Sequence, residues 1–130
     1  MERAAMALDM TIENILERMG RDINCYAVTL SDGQGLVIGK YIAQEDTTEA
    51  MSAISSLGSD LKKWVERELS FSDVDEVSTV DNNKVRMVCR YFEAIGTTFI
   101  LAFVVPPYQT YRKLSNEAIR DIQAELSAHR

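Results

Sequence analysis

The chain has little of what catalytic and metal sites are usually built from. It contains one histidine, His129. That excludes Ser-His-Asp catalysis, histidine-based metal sites and most histidine proton shuttles. Two cysteines, Cys25 and Cys89, both lie in apolar runs. Without histidine partners they are too few for a structural zinc site, and they read as buried, reduced thiols. The two prolines are adjacent, Pro106-Pro107, and the six glycines are scattered, so no linker divides the 130 residues. A single domain spanning residues 1–130 follows, large enough to form a core without staples. No apolar run approaches the ~20 residues of a membrane span. The first residues lack the basic-then-apolar order of a signal peptide. Positive charge is also scarce, with 14 Lys and Arg against 20 Asp and Glu and a net charge of −6. That balance argues against nucleic acid and against an anionic membrane surface. The expectation is a cytoplasmic protein with no membrane insertion.

What is present is regular patterning. Leu8, Ile12, Ile15, Leu16 and Met19 recur at helical spacing, and Gly20 stands where a helix C-cap is expected. Cys25 to Leu30 and Leu36 to Ile42 read as strands joined by the turn Ser31-Asp32-Gly33-Gln34-Gly35. Glu45 to Leu69 reads as a long helix, with Asp46 and Glu49 as a capping pair. Its apolar stripe comprises Ala50, Met51, Ile54, Leu57, Gly58, Leu61, Val65 and Leu69, with Ala53 and Trp64 on the flank beside Leu57. Asp60, Lys63 and Arg67 fall on the solvent side. Val74 to Val80, Lys84 to Phe92 and Thr97 to Val105 read as three more strands. A last helix from about Thr110 presents Tyr111, Leu114, Ala118, Ile122 and Leu126 on one face. The order α-β-β-α-β-β-β-α predicts an α+β sandwich, about five mostly antiparallel strands covered by three helices.

Two catalytic patterns fail on inspection. Gly33 to Lys40 has the glycines of a phosphate loop, but Gln34 and Tyr41 stand where a Walker loop needs Gly and Ser or Thr. A strand, not a helix, follows these glycines, which also excludes a dinucleotide fingerprint. Ser59-Asp60-Leu61-Lys62 matches the Ser-x-x-Lys of acyl-transfer enzymes without their partner motifs. The acidic run Asp73-Val74-Asp75-Glu76 has no calcium-loop spacing and reads as a solvated strand edge. No cofactor or metal is expected, and the reading is of a binding platform and not of an enzyme.

The sequence resembles the roadblock and dynein-light-chain (roadblock/LC7) domain family over roughly Met10 to Glu125. The resemblance is carried by the hairpin Val28-Thr29-Leu30-Ser31-Asp32-Gly33 followed by Gly35-Leu36-Val37-Ile38. Ile54-Ser55-Ser56-Leu57-Gly58 in the long helix and Phe99-Ile100-Leu101-Ala102-Phe103 before the last helix add to it. One extra residue between Gly33 and Leu36 departs from the family pattern. The resemblance implies a profilin-like fold that homodimerises, helix beside helix and sheet edge to sheet edge. It also implies a Ras-like small GTPase as partner, regulated or scaffolded.

From helix phase, the expected dimer contacts are Ala53, Leu57 and Trp64, joined by Val77 and Thr79 on the strand that follows. Trp64 could instead close the protomer core. The expected partner surface is Ser56, Asp60, Lys63 and Arg67. An arginine finger is conceivable from Arg67, Arg86 or Arg90, although each reads as an ordinary surface charge. The alternatives are an adaptor without GTPase contact, or a small-molecule sensor.

Overall fold

The structure, a computed structural model, describes residues 2–45 and 48–129, with side chains described from Thr11 onward except at Thr48. The elements are α1 (Glu2–Ile23), β1 (Ala27–Asp32), β2 (Val37–Ile42), α2 (Thr48–Glu68), β3 (Glu76–Val80), β4 (Arg86–Ala94), β5 (Thr97–Val105) and α3 (Arg112–Ala128). The expected α+β order is the observed one. The proposed cap Asp46 and the side chain of Leu8 lie outside the described residues.

The strands form one five-stranded sheet in the order β2-β1-β5-β4-β3, and every neighbouring pair is antiparallel. Three hairpins account for three of the four pairings, and β5 inserts between β1 and β4. Thr97 to Val105 is apolar on both faces because β5 is the central strand, with Leu101, Ala102 and Phe103 fully buried. β2 and β3 are the two edges.

Both polar turns are built alike. Asp32 Oδ1 accepts from the backbone N–H of Gln34 at 2.9 Å and of Leu36 at 3.0 Å. Asp81 Oδ1 accepts from Asn83 at 2.9 Å and Val85 at 3.0 Å. In each turn the fourth residue has left-handed backbone, Gly35 with φ 91° and Lys84 with φ 69°. The residue that departs from the family pattern is therefore absorbed by an aspartate-closed loop. Gly35 is needed there twice over, since a Cβ would lie 2.8 Å from Ser56 Cα. Gly20, in contrast, is not a C-cap: α1 continues to Ile23, and Asn24 takes the left-handed position with φ 62°. A Cβ on Gly20 would lie 2.4 Å from Tyr41 Cδ2, so the glycine marks a close approach of α1 to β2.

The two faces of the sheet are covered unequally. Val28, Leu30, Val88, Phe92, Leu101 and Phe103 point to a large core closed by α1 and α3. On the other face Ala27, Cys89, Tyr91, Ile100 and Ala102 meet α2 alone. Five strands about 4.8 Å apart span about 19 Å, and one helix is about 10 Å across. α2 packs chiefly over β1 and β5 and reaches β4 at Cys89 and Tyr91, so the β3 edge is the part of this face it covers least.

Candidate functional site: the outer face of the long helix

The sequence-predicted core stripe of α2 is rotated in the structure. The residues that meet the sheet most closely are Met51, Ser55, Gly58 and Ser59, all buried. Small side chains there let the helix approach, and their polar atoms are satisfied. Ser55 Oγ donates to the Met51 carbonyl at 3.0 Å and lies 3.1 Å from Thr29 Oγ1. Ser59 donates to the Gly33 carbonyl, and Tyr91 donates to the Gly58 carbonyl at 2.6 Å. A polar seam thus pins α2 to the β1–β2 turn and to β4.

Much of the apolar stripe consequently faces sideways or outward. Ile54, Leu61 and Val65 are half-buried, while Leu57 is 53% exposed and Trp64 50% exposed. Leu69 and the following Phe71 are also exposed. Ala53, Leu57 and Trp64 therefore form an exposed apolar ridge, and Trp64 does not close the protomer core. On β3, Val77 and Thr79 pair with Cys89 and Met87 and so point to the same face of the sheet as α2. Val77 is half-buried and Thr79 exposed. The five expected interface residues thus occupy one face of the protomer, on the helix and on the edge strand.

Ser56, Asp60, Lys63 and Arg67 are all exposed on α2, with Ser56 beside the β1–β2 turn at Gly35. Arg67 Nε is engaged with Glu68 at 2.8 Å. Lys63 borders a cleft of about 420 Å³ between the β1–β2 turn and the end of α2.

Lys62, read in the sequence only as the end of the Ser-x-x-Lys match, lines that cleft 5.7 Å from the Tyr91 ring centroid. It pairs with Glu66 and, at 2.8 Å, with Asp73. Burial alone would lower its pKa, but hydrogen bonds to Asp73 and Glu66 outweigh that and hold the ammonium above its usual value. The Lys62 hydrogen bond, followed by the Val74 N–H at 2.7 Å, holds the Glu66 carboxyl below its usual range. The Ser-x-x-Lys pair is thereby accounted for. Ser59 has a carbonyl partner and Lys62 is kept protonated, so neither activates the other.

Arg90 requires a correction. It is not a surface charge but 7% exposed beneath α3, with Nη1 donating to Ser115 Oγ at 2.9 Å and Asn116 Oδ1 at 2.5 Å. Glu76 faces it, with 3.7 Å between Arg90 Nε and Oε1. The same carboxylate accepts from Tyr111 at 2.8 Å and Arg112 at 2.6 Å. The acidic run is accordingly not a plain solvated edge, since Asp73 and Glu76 both hold cations. Of the other arginine-finger candidates, Arg67 is exposed and Arg86 half-buried.

Burial pushes the Cys25 thiol up to about 12 and the Cys89 thiol up to about 11, so both stay unreactive. Among the described residues no group of three or more metal-ligating side chains gathers, and no helix is long and apolar enough to cross a membrane.

The element order, the sheet topology and the single helix on one face define a roadblock-type α+β fold. The chain matches no family model and no curated protein by sequence. Solved structures agree on the fold. The gliding protein MglB from Thermus thermophilus superposes with a TM-score of 0.77 at 12% identity, covering 94% of this chain and 93% of that one. An MglB with tetrameric arrangement gives 0.78 at 13% identity, covering 95% and 93%. A roadblock/LC7 domain from Streptomyces avermitilis gives 0.64 at 14% identity, covering 86% and 92%.

Proposed function

We propose that this chain is a non-catalytic homodimer that regulates or scaffolds a Ras-like small GTPase. The observation that carries the reading is the apolar ridge left exposed on α2. A half-exposed tryptophan stands beside exposed Leu57 and Ala53, the β3 side of this face is the part α2 covers least, and β3 is a free edge. A second copy related by a twofold axis answers all three features. Its α2 lies against the first along Ala53, Leu57 and Trp64, and its β3 approaches the first through the edge carrying Val77 and Thr79. An isologous contact of this kind uses one patch on both protomers. The solved MglB with tetrameric arrangement is a relative in fold that also assembles.

The GTPase reading adds the family resemblance in the sequence to the position of the exposed polar residues. In the dimer, Ser56, Asp60, Lys63 and Arg67 of the two helices form one composite surface near the axis. A single GTPase seated there blocks the symmetry-related site, giving two protomers per GTPase. Regulation requires differential affinity, because a partner that binds both nucleotide states equally shifts nothing. Titrating the protein with a Ras-like GTPase from the same genome, loaded with GDP or a non-hydrolysable GTP analogue, is expected to give affinities that differ by about tenfold or more, or roughly 1.4 kcal/mol. Equal affinities would leave a plain adaptor, and no binding to either form would remove the GTPase from the account.

A further inference from the structure

A further hollow lies on the opposite face of the molecule. It is a surface groove of about 910 Å³ between the sheet edge at β3 and the start of α3. Glu76 and Ser78 project toward it from β3, while Val77 and Thr79 of the same strand point to the α2 face. The groove therefore opens on the face of the sheet opposite α2 and the GTPase surface, beside the β3 edge proposed for the second copy.

Its charge is out of character with the chain. The protein carries a net −6, yet Arg86, Arg112 and Lys113 line this groove against Glu76 and Glu117. Glu76 is already shared by Arg112, Tyr111 and the buried Arg90 behind it. Arg86 has only Ser78 Oγ at 3.3 Å, and Lys113 has no acidic partner among the described residues. Arg90 Nε, buried, has no hydrogen-bond partner. The lining thus carries three cations against two carboxylates, and Glu76 is already engaged.

The local backbone adds to this. Tyr111 stands at the N-cap of α3 without a capping hydrogen bond, and the first turn has no acidic residue. The free N–H groups at that end favour negative charge, and here the flanking side chains are cations instead. Next to Gln109 of the lining, Tyr108 is 90% exposed and held at φ 64°, in the left-handed region that disfavours a non-glycine residue. An aromatic held out in this way serves no packing inside the protomer.

We propose that this groove docks an acidic, extended peptide segment of a partner protein. Arg86 and Lys113 take its carboxylates, Ser78 and Gln109 offer hydrogen bonds along its length, and Tyr108 packs against it at the rim. The volume is far larger than one small anion requires, and the lining comes from a strand, a loop and a helix end, which suits a chain several residues long.

Fluorescence anisotropy with a labelled Asp/Glu-rich peptide of about ten residues tests this, with a Lys-rich peptide of equal length as control and inorganic phosphate as competitor. The acidic peptide should bind, with affinity falling as salt rises, and the Lys-rich one should not. R86A/K113A should weaken binding by about tenfold or more while protein mass and GTPase affinity stay unchanged. Lys113→Glu alone, at an exposed position, should move binding in the same direction. No binding, equal binding of both peptides, affinity indifferent to these substitutions, or displacement by phosphate at moderate excess would overturn the proposal. Because GTPase affinity is read separately, failure here does not touch the functional reading above.

Discussion

Trp64→Asp is expected to yield a folded monomer of 14.6 kDa where the proposed dimer of the unaltered protein would have twice that mass. Half of Trp64 is already in water in the protomer, so the core closed by α2 does not depend on it. In the proposed dimer the same ring lies between two helices, where an aromatic anchor of this kind contributes about 2 kcal/mol or more. Trp64→Ala removes that contribution from each side of a symmetric contact. Aspartate adds the desolvation of a carboxylate that finds no partner, so its effect is larger. Light scattering over a range of concentrations reads the mass, and circular dichroism checks that the protomer fold survives. The composite GTPase surface should vanish with the dimer. A fully dimeric Trp64→Asp would place the contact elsewhere.

Arg90→Ala is expected to cost stability and not catalysis. The guanidinium is the only described side-chain partner of Asn116 and ties β4 to α3, while its charge offsets Glu76. Removing it takes the donor from buried Ser115 Oγ, leaves the Glu76 carboxylate less compensated and opens a void, at about 2–3 kcal/mol. Urea unfolding should show that loss. Arg67→Ala, on an exposed side chain paired only with its neighbour Glu68, should stay within about 0.5 kcal/mol. If Arg90 were an arginine finger, its removal would instead abolish any stimulation of GTP hydrolysis by protein that is still folded.

The contrast between these two residues shows what could be read from the sequence. Element order was legible because apolar spacing and turn chemistry are local: Asp32-Gly33 and Asp81-Asn82 each close a hairpin with the same carboxylate geometry. The central position of β5 was legible because Phe99 to Phe103 is apolar on both faces. Helix phase was not fully legible. Counting apolar residues caught Met51 and Gly58 but also drew the core line through Leu57 and Leu69, whereas α2 meets the sheet beside Gly58 through Ser55 and Ser59. Those positions are chosen for small size and for hydrogen bonds to Thr29, Gly33 and Tyr91, partners at least 25 residues distant that periodicity cannot reveal. The surplus apolar arc beside Trp64 was nevertheless visible, and the structure shows it exposed. Arg90 and Glu76 were misread for the same reason as the α2 phase. Alternation assigns Arg90 a face, but only the fold shows that α3 covers it.

Everything proposed about partners on the α2 face depends on a second copy packing against Leu57 and Trp64 and along the β3 edge. The most direct test is the mass of the unaltered protein by light scattering at concentrations down to a few micromolar. A constant value of twice 14.6 kDa is the predicted result. A stable mass of 14.6 kDa at tens of micromolar would contradict the account, leaving Trp64 and Leu57 exposed for some other purpose.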